Sequence, residues 1–320
     1  MKTRIFLLLI SLAMLFSFAS CTACSNIDDT SSGNTSSDLA SSLPSMSTGD
    51  SSNSVVSDVV SGVESMIPGD NSAASGDSTS PTAALPMSEI ELLDNTGVTW
   101  GPGGFFDDIN RPTACLSLQE QYGKYSTYFI APDTNQVYLT FDEGYENGYT
   151  AQILDTLKEK NVKAVFFVTM PYAKSEPELI QRMIDEGHIV GNHSNKHPDM
   201  TTVSFEQVQD EYILLHEYMI DNFDYEMFLF RAPTGTFSTR TLAVGQKLGY
   251  TNVFWSFAYN DWDPQNQPDP EKSLEKLVNR LHSGEIMLLH AVSKTNTDIL
   301  GVLIDATRQK GFEFATFPIE

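Results

Sequence analysis

Cysteine is nearly absent from this chain of 320 residues. Only Cys21, Cys24 and Cys115 occur, so no disulfide framework stabilises the fold. Cys24 sits near the chain start and Cys115 at the edge of the apolar-patterned part, and a free thiol is expected at each. Cations are scarce as well. Lys and Arg number 19 against 42 Asp and Glu, and the net charge of −23 excludes nucleic acid or an anionic membrane surface as an electrostatic partner. No apolar run reaches the ~20 residues that a membrane span wants. From Thr22 to about Met87 there is no Lys or Arg and almost no aromatic residue. A stretch dominated by Ser, Asp, Asn, Thr, Ala and Gly cannot bury enough apolar surface to offset its ordering entropy, so it reads as a disordered tether. Val55, Val56, Val59, Val60, Val63 and Met66 have the spacing of at most one short helix within it.

What is present begins with a targeting segment over residues 1–20. Lys2 and Arg4 form a short basic end, Ile5 to Phe18 a mostly apolar run, and Phe18-Ala19-Ser20 leads straight into Cys21. Small residues ahead of a Cys have the form of a bacterial lipoprotein signal, in which Cys21 carries lipid and becomes the mature N-terminus. An ordinary secretory signal or an uncleaved anchor is the other reading. Each puts the rest of the chain outside the cytoplasm, anchored to the cell membrane through Cys21 or, without lipid, secreted. The organisation expected is a signal at 1–20, a linker at 21–90 and a folded domain at 95–320, acting as a monomer.

Over that domain short β-rich runs alternate with helical ones. Val137 to Phe141 reads as a strand, Tyr149 to Lys160 as a helix with Ile153, Leu154 and Leu157 on one face, and Ala164 to Val168 as the next strand. Ser175 before Glu176-Pro177 reads as an N-cap, and Gly187 stops that helix. Ile189-Val190 is a short strand. Ser204 with Gln207 makes a capping box for a helix to about Asn222. Strands at Met227–Phe230, Asn252–Phe257, Ile286–Leu289 and Phe312–Thr316 are separated by helices over Ser238–Leu248, around Leu274–Leu281 and around Ile299–Ala306. Repeated βα units predict an α/β fold, a parallel sheet that is open or closed into a (β/α) barrel.

The polar residues fall in a pattern. Asp142, His193, Arg231, Asp261 and His290 all follow predicted strands, so they are expected to converge on one face, where such barrels keep their chemistry. Taken singly, each has an ordinary explanation. Asp142-Glu143 could be a helix N-cap and a first-turn acid, His193 and His197 loop residues, Arg231 a structural ion pair, His290 a core histidine. Together they compose a His/His/carboxylate set with positions left for water, beside further acid–base groups.

The combination resembles the polysaccharide deacetylase family, the NodB-homology domain of carbohydrate esterase family 4. Thr140-Phe141-Asp142-Glu143-Gly144 is similar to its first motif, usually TFDDG. His193-Ser194-Asn195-Lys196-His197-Pro198 fits the second, Arg231-Ala232-Pro233-Thr234-Gly235 the third, Asp261-Trp262 the fourth and Leu288-Leu289-His290 the fifth. The resemblance covers about residues 95–320 and implies a distorted (β/α) barrel of parallel strands and a metal-dependent amide hydrolase. It implies Asp142 as general base, Arg231 orienting it, His290 as the acid and Asp261 holding His290. The metal would sit on His193, His197 and Glu143, with zinc suggested by the ligand chemistry and cobalt or manganese admitted. The Thr234 backbone N–H would add an oxyanion donor, and Trp262 and Tyr145 would contact substrate.

Within the family the chain is most similar to the delta-lactam-biosynthetic branch, which deacetylates muramic acid in spore-cortex peptidoglycan. Thr99-Trp100-Gly101, Gly144-Tyr145-Glu146-Asn147-Gly148-Tyr149-Thr150, Gly187 to Ser194, Val253-Phe254-Trp255-Ser256 and Leu289-His290-Ala291-Val292-Ser293 carry that likeness. Two positions depart from the family pattern: Glu143 replaces the second Asp of motif one, and Ala258 replaces the first Asp of the longer fourth motif. Deacetylation of N-acetylglucosamine in peptidoglycan or of a chitooligosaccharide is the alternative substrate reading. A lipid-anchored glycan-binding pseudoenzyme is the alternative of another class.

Overall fold

The computed structural model describes residues 85–319. The expected signal segment, Cys21, Cys24 and nearly all of the expected linker lie outside the described residues.

The fold is organised around strand β3, Gln136–Glu143, whose residues after the first are all buried. Its neighbours are β4 (Val165–Val168) on one edge and β9 (Glu285–His290) on the other, both parallel to it. Strand β10 (Glu313–Ala315) takes the lower part of the β4 edge, pairing with Gln136–Tyr138. The sheet continues from β4 through β5 (Ile189–Asn192), β6 (Leu229–Phe230) and β8 (Thr251–Val253) to β2 (Thr127–Tyr128), every pairing parallel. Beyond β8 the chain bridges back to β9 between Phe257 and Met287. The curled sheet thereby closes on itself, giving the expected distorted barrel. A separate antiparallel pair joins β1 (Val98–Thr99) to β7 (Thr236–Phe237).

Alternation along β3 sorts its side chains between two cores. Tyr138 joins Val165, Phe167, Leu229, Val253 and Ile286 in the barrel interior. Val137, Leu139 and Phe141 face outward to the helices, with Phe141 stacked on Phe166. The covering helices are α1 (Met87–Ile90), α2 (Thr113–Tyr122), α3 (Thr150–Lys160), α4 (Met170–Ser175), α5 (Pro177–Asp185), α6 (Phe205–Phe223), α7 (Thr239–Lys247), α8 (Pro270–Arg280) and α9 (Lys294–Gln309). Each fully buried Leu, Ile or Phe on these faces contributes about 1.5–3 kcal/mol. Both capping boxes satisfy free helix N–H groups, the expected one at Ser204/Gln207 of α6 and a second at Ser238/Thr241 of α7.

Three local expectations differ from the structure. Met87–Ile90, assigned by composition to the end of the linker, is a helical turn whose Ile90 is fully buried. Ser175 is no N-cap; it ends α4 by bonding the Tyr172 carbonyl, and Glu176 forms the joint to α5. The strand expected at Asn252–Phe257 is regular only to Val253, because the chain there turns from β8 toward β9. Among the described residues no helix is long and apolar enough to cross a membrane.

Candidate active site

Asp142 is the penultimate residue of β3, His193 follows β5, Arg231 follows β6 and His290 ends β9, so four C-terminal strand ends deliver them to one mouth of the barrel. Asp261 arrives from the long loop after β8. Its bond to His290 shows that this irregular segment folds back to the same place.

Arg231 is the structural centre of the group and is fully buried. Its Nη1 donates to Asp142 Oδ1 at 2.7 Å and to Thr140 Oγ1 at 2.9 Å, its Nε to the Val253 carbonyl at 3.0 Å and its Nη2 to the Phe254 carbonyl at 3.1 Å. The guanidinium also lies over the Phe167 ring, 4.2 Å from its centroid. That stack depends on Gly191, since a Cβ there would come within 2.5 Å of the same ring. With the planar fork used at three edges, Arg231 cannot turn, and Asp142 Oδ1 is fixed. Burial opposes ionisation of Asp142, but the Arg231 guanidinium foremost, with the neighbouring imidazoles of His193 and His290 acting in the same direction, wins and holds its pKa below the ordinary carboxylate value. Asp142 Oδ2 remains, 3.6 Å from His193 Nε2.

His193 Nδ1 lies 2.9 Å from the Arg231 carbonyl, which can only accept. The ring proton is therefore on Nδ1, and the Nε2 lone pair faces the site. Burial pushes the His193 pKa down to about 4, against the pull of Asp142, so the imidazole is neutral at pH 7. His197 is shifted the same way by desolvation of its ring, although the residue as a whole is exposed. The turn joining them has left-handed backbone at Ser194 (φ 78) and His197 (φ 59). It is held by Ser194 N–H to Asn192 Oδ1, His197 N–H to Ser194 Oγ and Lys196 N–H to Glu211 Oε2. Such strain persists only where the surroundings impose it.

The result is two imidazoles whose Nε2 atoms face one another 3.2 Å apart. Nitrogens bound to a single ion at the usual ~2.0–2.1 Å lie roughly 3.1–3.4 Å apart at near-tetrahedral angles. The pair therefore fits a divalent ion as a cradle of two neutral nitrogens, its remaining positions left to water or substrate. Among the described residues no three His, Cys, Asp or Glu side chains converge as a ready ligand set.

In the structure the expected third ligand, Glu143, does not lie with the two imidazoles. Next to Asp142 on the strand, it points to the opposite face, fully buried, with Oε1 3.5 Å from Thr150 Oγ1 of α3 and Oε2 unpartnered. Burial, with Glu146 and Asp142 adding negative charge, raises its pKa well above the ordinary value.

The second pair stands beside the first, because Asp142 and His290 are register partners across β3 and β9. His290 Nδ1 meets Asp261 Oδ1 at 2.7 Å and the His290 N–H donates to Asp261 Oδ2 at 2.8 Å. Burial works against charge on His290, but the bond to Asp261 and the charges of Asp261 and Asp142 outweigh it and raise the imidazole's pKa. Two basins of opposite sense thus share one mouth: a carboxylate kept ionised and an imidazole biased toward the charged form.

Thr234, in the turn after β6, has φ 57 and ψ 3, a left-handed conformation that costs a β-branched residue strain, and its side chain is exposed. Trp262 and Tyr145 are 59% and 51% exposed, large rings open to solvent in the loops carrying Asp261 and following Asp142. Sequence reasoning missed Thr140, whose hydroxyl links Arg231 to the Met287 carbonyl, and the supports Asn192 and Glu211. Thr140 carried a signal, since it sits two residues before Asp142 and must share its face.

The family description for polysaccharide deacetylase matches residues 130–253. The chain is 39% identical over 231 residues to the peptidoglycan-N-acetylmuramic acid deacetylase PdaA of Bacillus subtilis, covering 71% of this chain and 86% of that protein. The solved structure of Bacillus subtilis PdaA, a family 4 carbohydrate esterase, superposes with a TM-score of 0.66 at 38% identity, over 70% of this chain and 96% of the other. A family 4 carbohydrate esterase from Bacillus anthracis superposes with a TM-score of 0.58 at 40% identity, over 70% of this chain and 95% of that one.

Proposed function

We propose, from the premise that the chain belongs to the polysaccharide deacetylase family, carbohydrate esterase family 4, that it removes the acetyl group from N-acetylmuramic acid in peptidoglycan. The family makes it a hydrolase of carbon–nitrogen amide bonds. The muramic assignment is supported by the activity named for the Bacillus subtilis relative. The role in the spore cortex and the lipid anchor at Cys21, which would hold the enzyme on the outer face of the cell membrane beside glycan strands, are proposals from the sequence.

The observation that carries the mechanism is the pairing of Asp142, locked by Arg231, with His290, locked by Asp261, across two adjacent strands. An N-acetyl amide resists hydrolysis because the carbonyl is a weak electrophile and the amine a poor leaving group. A divalent ion held by the Nε2 atoms of His193 and His197, zinc or else cobalt or manganese, would polarise the acetyl carbonyl and acidify water. Asp142, its Oδ1 held by Arg231, takes the proton of the attacking water on Oδ2. The water oxygen bonds to the acetyl carbon, and the backbone N–H of Thr234 donates to the oxygen on which negative charge collects. His290, protonated and with its Nδ1–H given to Asp261, donates from Nε2 to the sugar nitrogen as the carbon–nitrogen bond breaks. Acetic acid and the free amine result, the acid's remaining proton passing to the amine or to solvent, and the proton on Asp142 passes back to restore His290. Trp262 and Tyr145 offer exposed rings on which sugar faces can pack.

The test is acetate release from purified peptidoglycan, with and without prior amidase removal of the peptide stems, followed by mass spectrometry of the digested glycan. Loss of acetyl from muramic acid is expected. Loss from glucosamine, or from a chitooligosaccharide, would replace the muramic assignment. The turned-away Glu143 favours one other reading, a glycan-binding protein without turnover. Bound glycan with no acetate released under any divalent metal would select it.

A further inference from the structure

We propose that Asn296 is the positioning residue of the His290–Asp261 pair, its amide fixing the plane of the Asp261 carboxylate so that Oδ1 alone receives the His290 Nδ1 proton. The inference rests on the reading of His290 as the proton donor.

Asp261 is fully buried, and its two oxygens are used unequally. Oδ1 takes His290 Nδ1, while Oδ2 takes the His290 backbone N–H and the Asn296 Nδ2 at 2.6 Å. The same Nδ2 donates to the His290 carbonyl at 3.1 Å, so one amide nitrogen touches both members of the pair. Its orientation is forced from both sides. A carboxylate can only accept, so Nδ2 must face Asp261, and the buried Tyr259 hydroxyl donates to Asn296 Oδ1 from behind. Leucine in place of Asn296 would free Oδ2 of its side-chain donor, and aspartate would set a second carboxylate against the first.

Asn296 is itself anchored. Its N–H bonds the Ser293 hydroxyl, which caps α9, and Asn296 is 1% exposed. The loop carrying Asp261 is stapled to the same helical turn. Gln267 donates to the Asp261 and Asp263 carbonyls and accepts from Ser293 Oγ and Thr295 N–H, and Thr295 Oγ1 donates to the Pro268 carbonyl. The first turn of α9 thus holds an irregular loop in register with a strand end, which a long connection cannot do unaided. The charged groups that face His290 are Asp261 from this loop, Asp142 from β3 and Arg231 from the end of β6. Asn296 touches the first of these alone, so its removal changes one interaction and leaves the other two in place.

The experiment uses the full chain labelled with ¹⁵N-histidine, as wild type, Asn296→Leu and Tyr259→Phe. NMR follows the His290 ring nitrogens against pH, and acetate release gives kcat and KM on the same samples. In wild type the Nδ1 proton is expected to exchange slowly. In Asn296→Leu its exchange quickens about tenfold, the His290 midpoint moves, kcat falls about tenfold, and KM stays within about twofold. The alkaline limb of the kcat profile is expected to move by the same amount as the NMR midpoint. Tyr259→Phe, which deletes one hydroxyl, is expected to show the same changes in smaller degree and keeps the test open if Asn296→Leu fails to fold. Unchanged proton exchange and midpoint in both variants would overturn the proposal, and so would a fall in kcat with the pH limb unmoved. If the wild-type protein releases no acetate the functional reading falls, and the NMR comparison alone still decides on Asn296.

Discussion

Replacing Arg231 by methionine removes the cation that contributes most to compensating Asp142 inside the barrel mouth. The guanidinium is fully buried and makes four hydrogen bonds, so the substitution leaves a buried carboxylate and the Val253 and Phe254 carbonyls without their donors. Breaking a buried pair from one side costs about 3–5 kcal/mol. At about 2–4 °C per kcal/mol for a domain of this size, melting should fall by roughly 6–20 °C. The pH dependence carries the sharper information. Asp142 titrates below its ordinary value of 3.8 in the wild type, so its contribution to stability is present above that pH and is lost as pH falls through the lowered value. Without Arg231 the burial penalty dominates and the folded pKa rises, so stability should instead decline as pH climbs from about 4 toward neutrality. Urea unfolding between pH 4 and 8 measures both curves, and the gap between them should widen with pH. The double variant with Asp142→Asn should recover much of the loss, with a coupling of more than about 2 kcal/mol. A gap that does not vary with pH, or a coupling near zero, would refute the argument that Arg231 is there to hold Asp142 ionised.

Asp142→Asn and His290→Ala are each expected to lower acetate release by about 10²–10⁴-fold in protein that still folds, because each removes one proton-transfer group; each also leaves a buried charged partner, Arg231 or Asp261, so the unfolding midpoint should fall. Near-normal turnover in either would contradict its role. Chelation should silence the enzyme and added zinc, cobalt or manganese restore it, while His193→Ala should resist restoration; activity surviving complete metal removal would refute the imidazole cradle. Glu143→Gln should leave metal affinity unchanged and stabilise the fold progressively as pH rises above the ordinary carboxyl value of 4.5. The sign follows from the raised pKa: the folded state must keep a proton that the unfolded chain releases, a cost that grows up to the folded pKa. Calorimetry with zinc and unfolding at pH 5 and pH 8 check the two halves, and a weakened metal site would restore Glu143 as a ligand.

The regular elements were legible because their signals are local. Apolar spacing marks α3 and α6, the Ser204/Gln207 box starts α6, and the β-rich run before Asp142 marks β3. Convergence of Asp142, His193, Arg231 and His290 was legible too, since parallel strands present their C-terminal ends at one mouth. The face on which Glu143 would fall was in principle readable from strand parity, but motif identity directed attention to adjacency in the chain instead. Asn296 was not readable at all. Its partners Asp261 and Tyr259 lie far away in sequence and are brought to it by a loop with no periodic pattern. Polar residues there look like ordinary loop and helix-start chemistry, and only the folded contact reveals what they bond.

Strand parity also decides what Glu143 can become. It pairs with Val168 at the last position of the β3–β4 ladder, and its carbonyl accepts the Thr169 N–H, so its side chain lies on the outer face while that of Asp142 lies on the inner one. Bringing its carboxylate round to His193 and His197 would require that last pair to open and the side chain to leave the packing around Thr150 and Tyr172. The extra methylene of Glu over Asp supplies reach along its own direction and none around the strand. In this structure the carboxylate at this position therefore lies away from the two imidazoles. The same geometry leaves the two imidazoles intact, since both come from the turn after β5, where β3 contributes Asp142. With Glu143 turned away, the proposed ion site offers the two imidazole nitrogens, and the pairing of Asp142 with His290 is untouched.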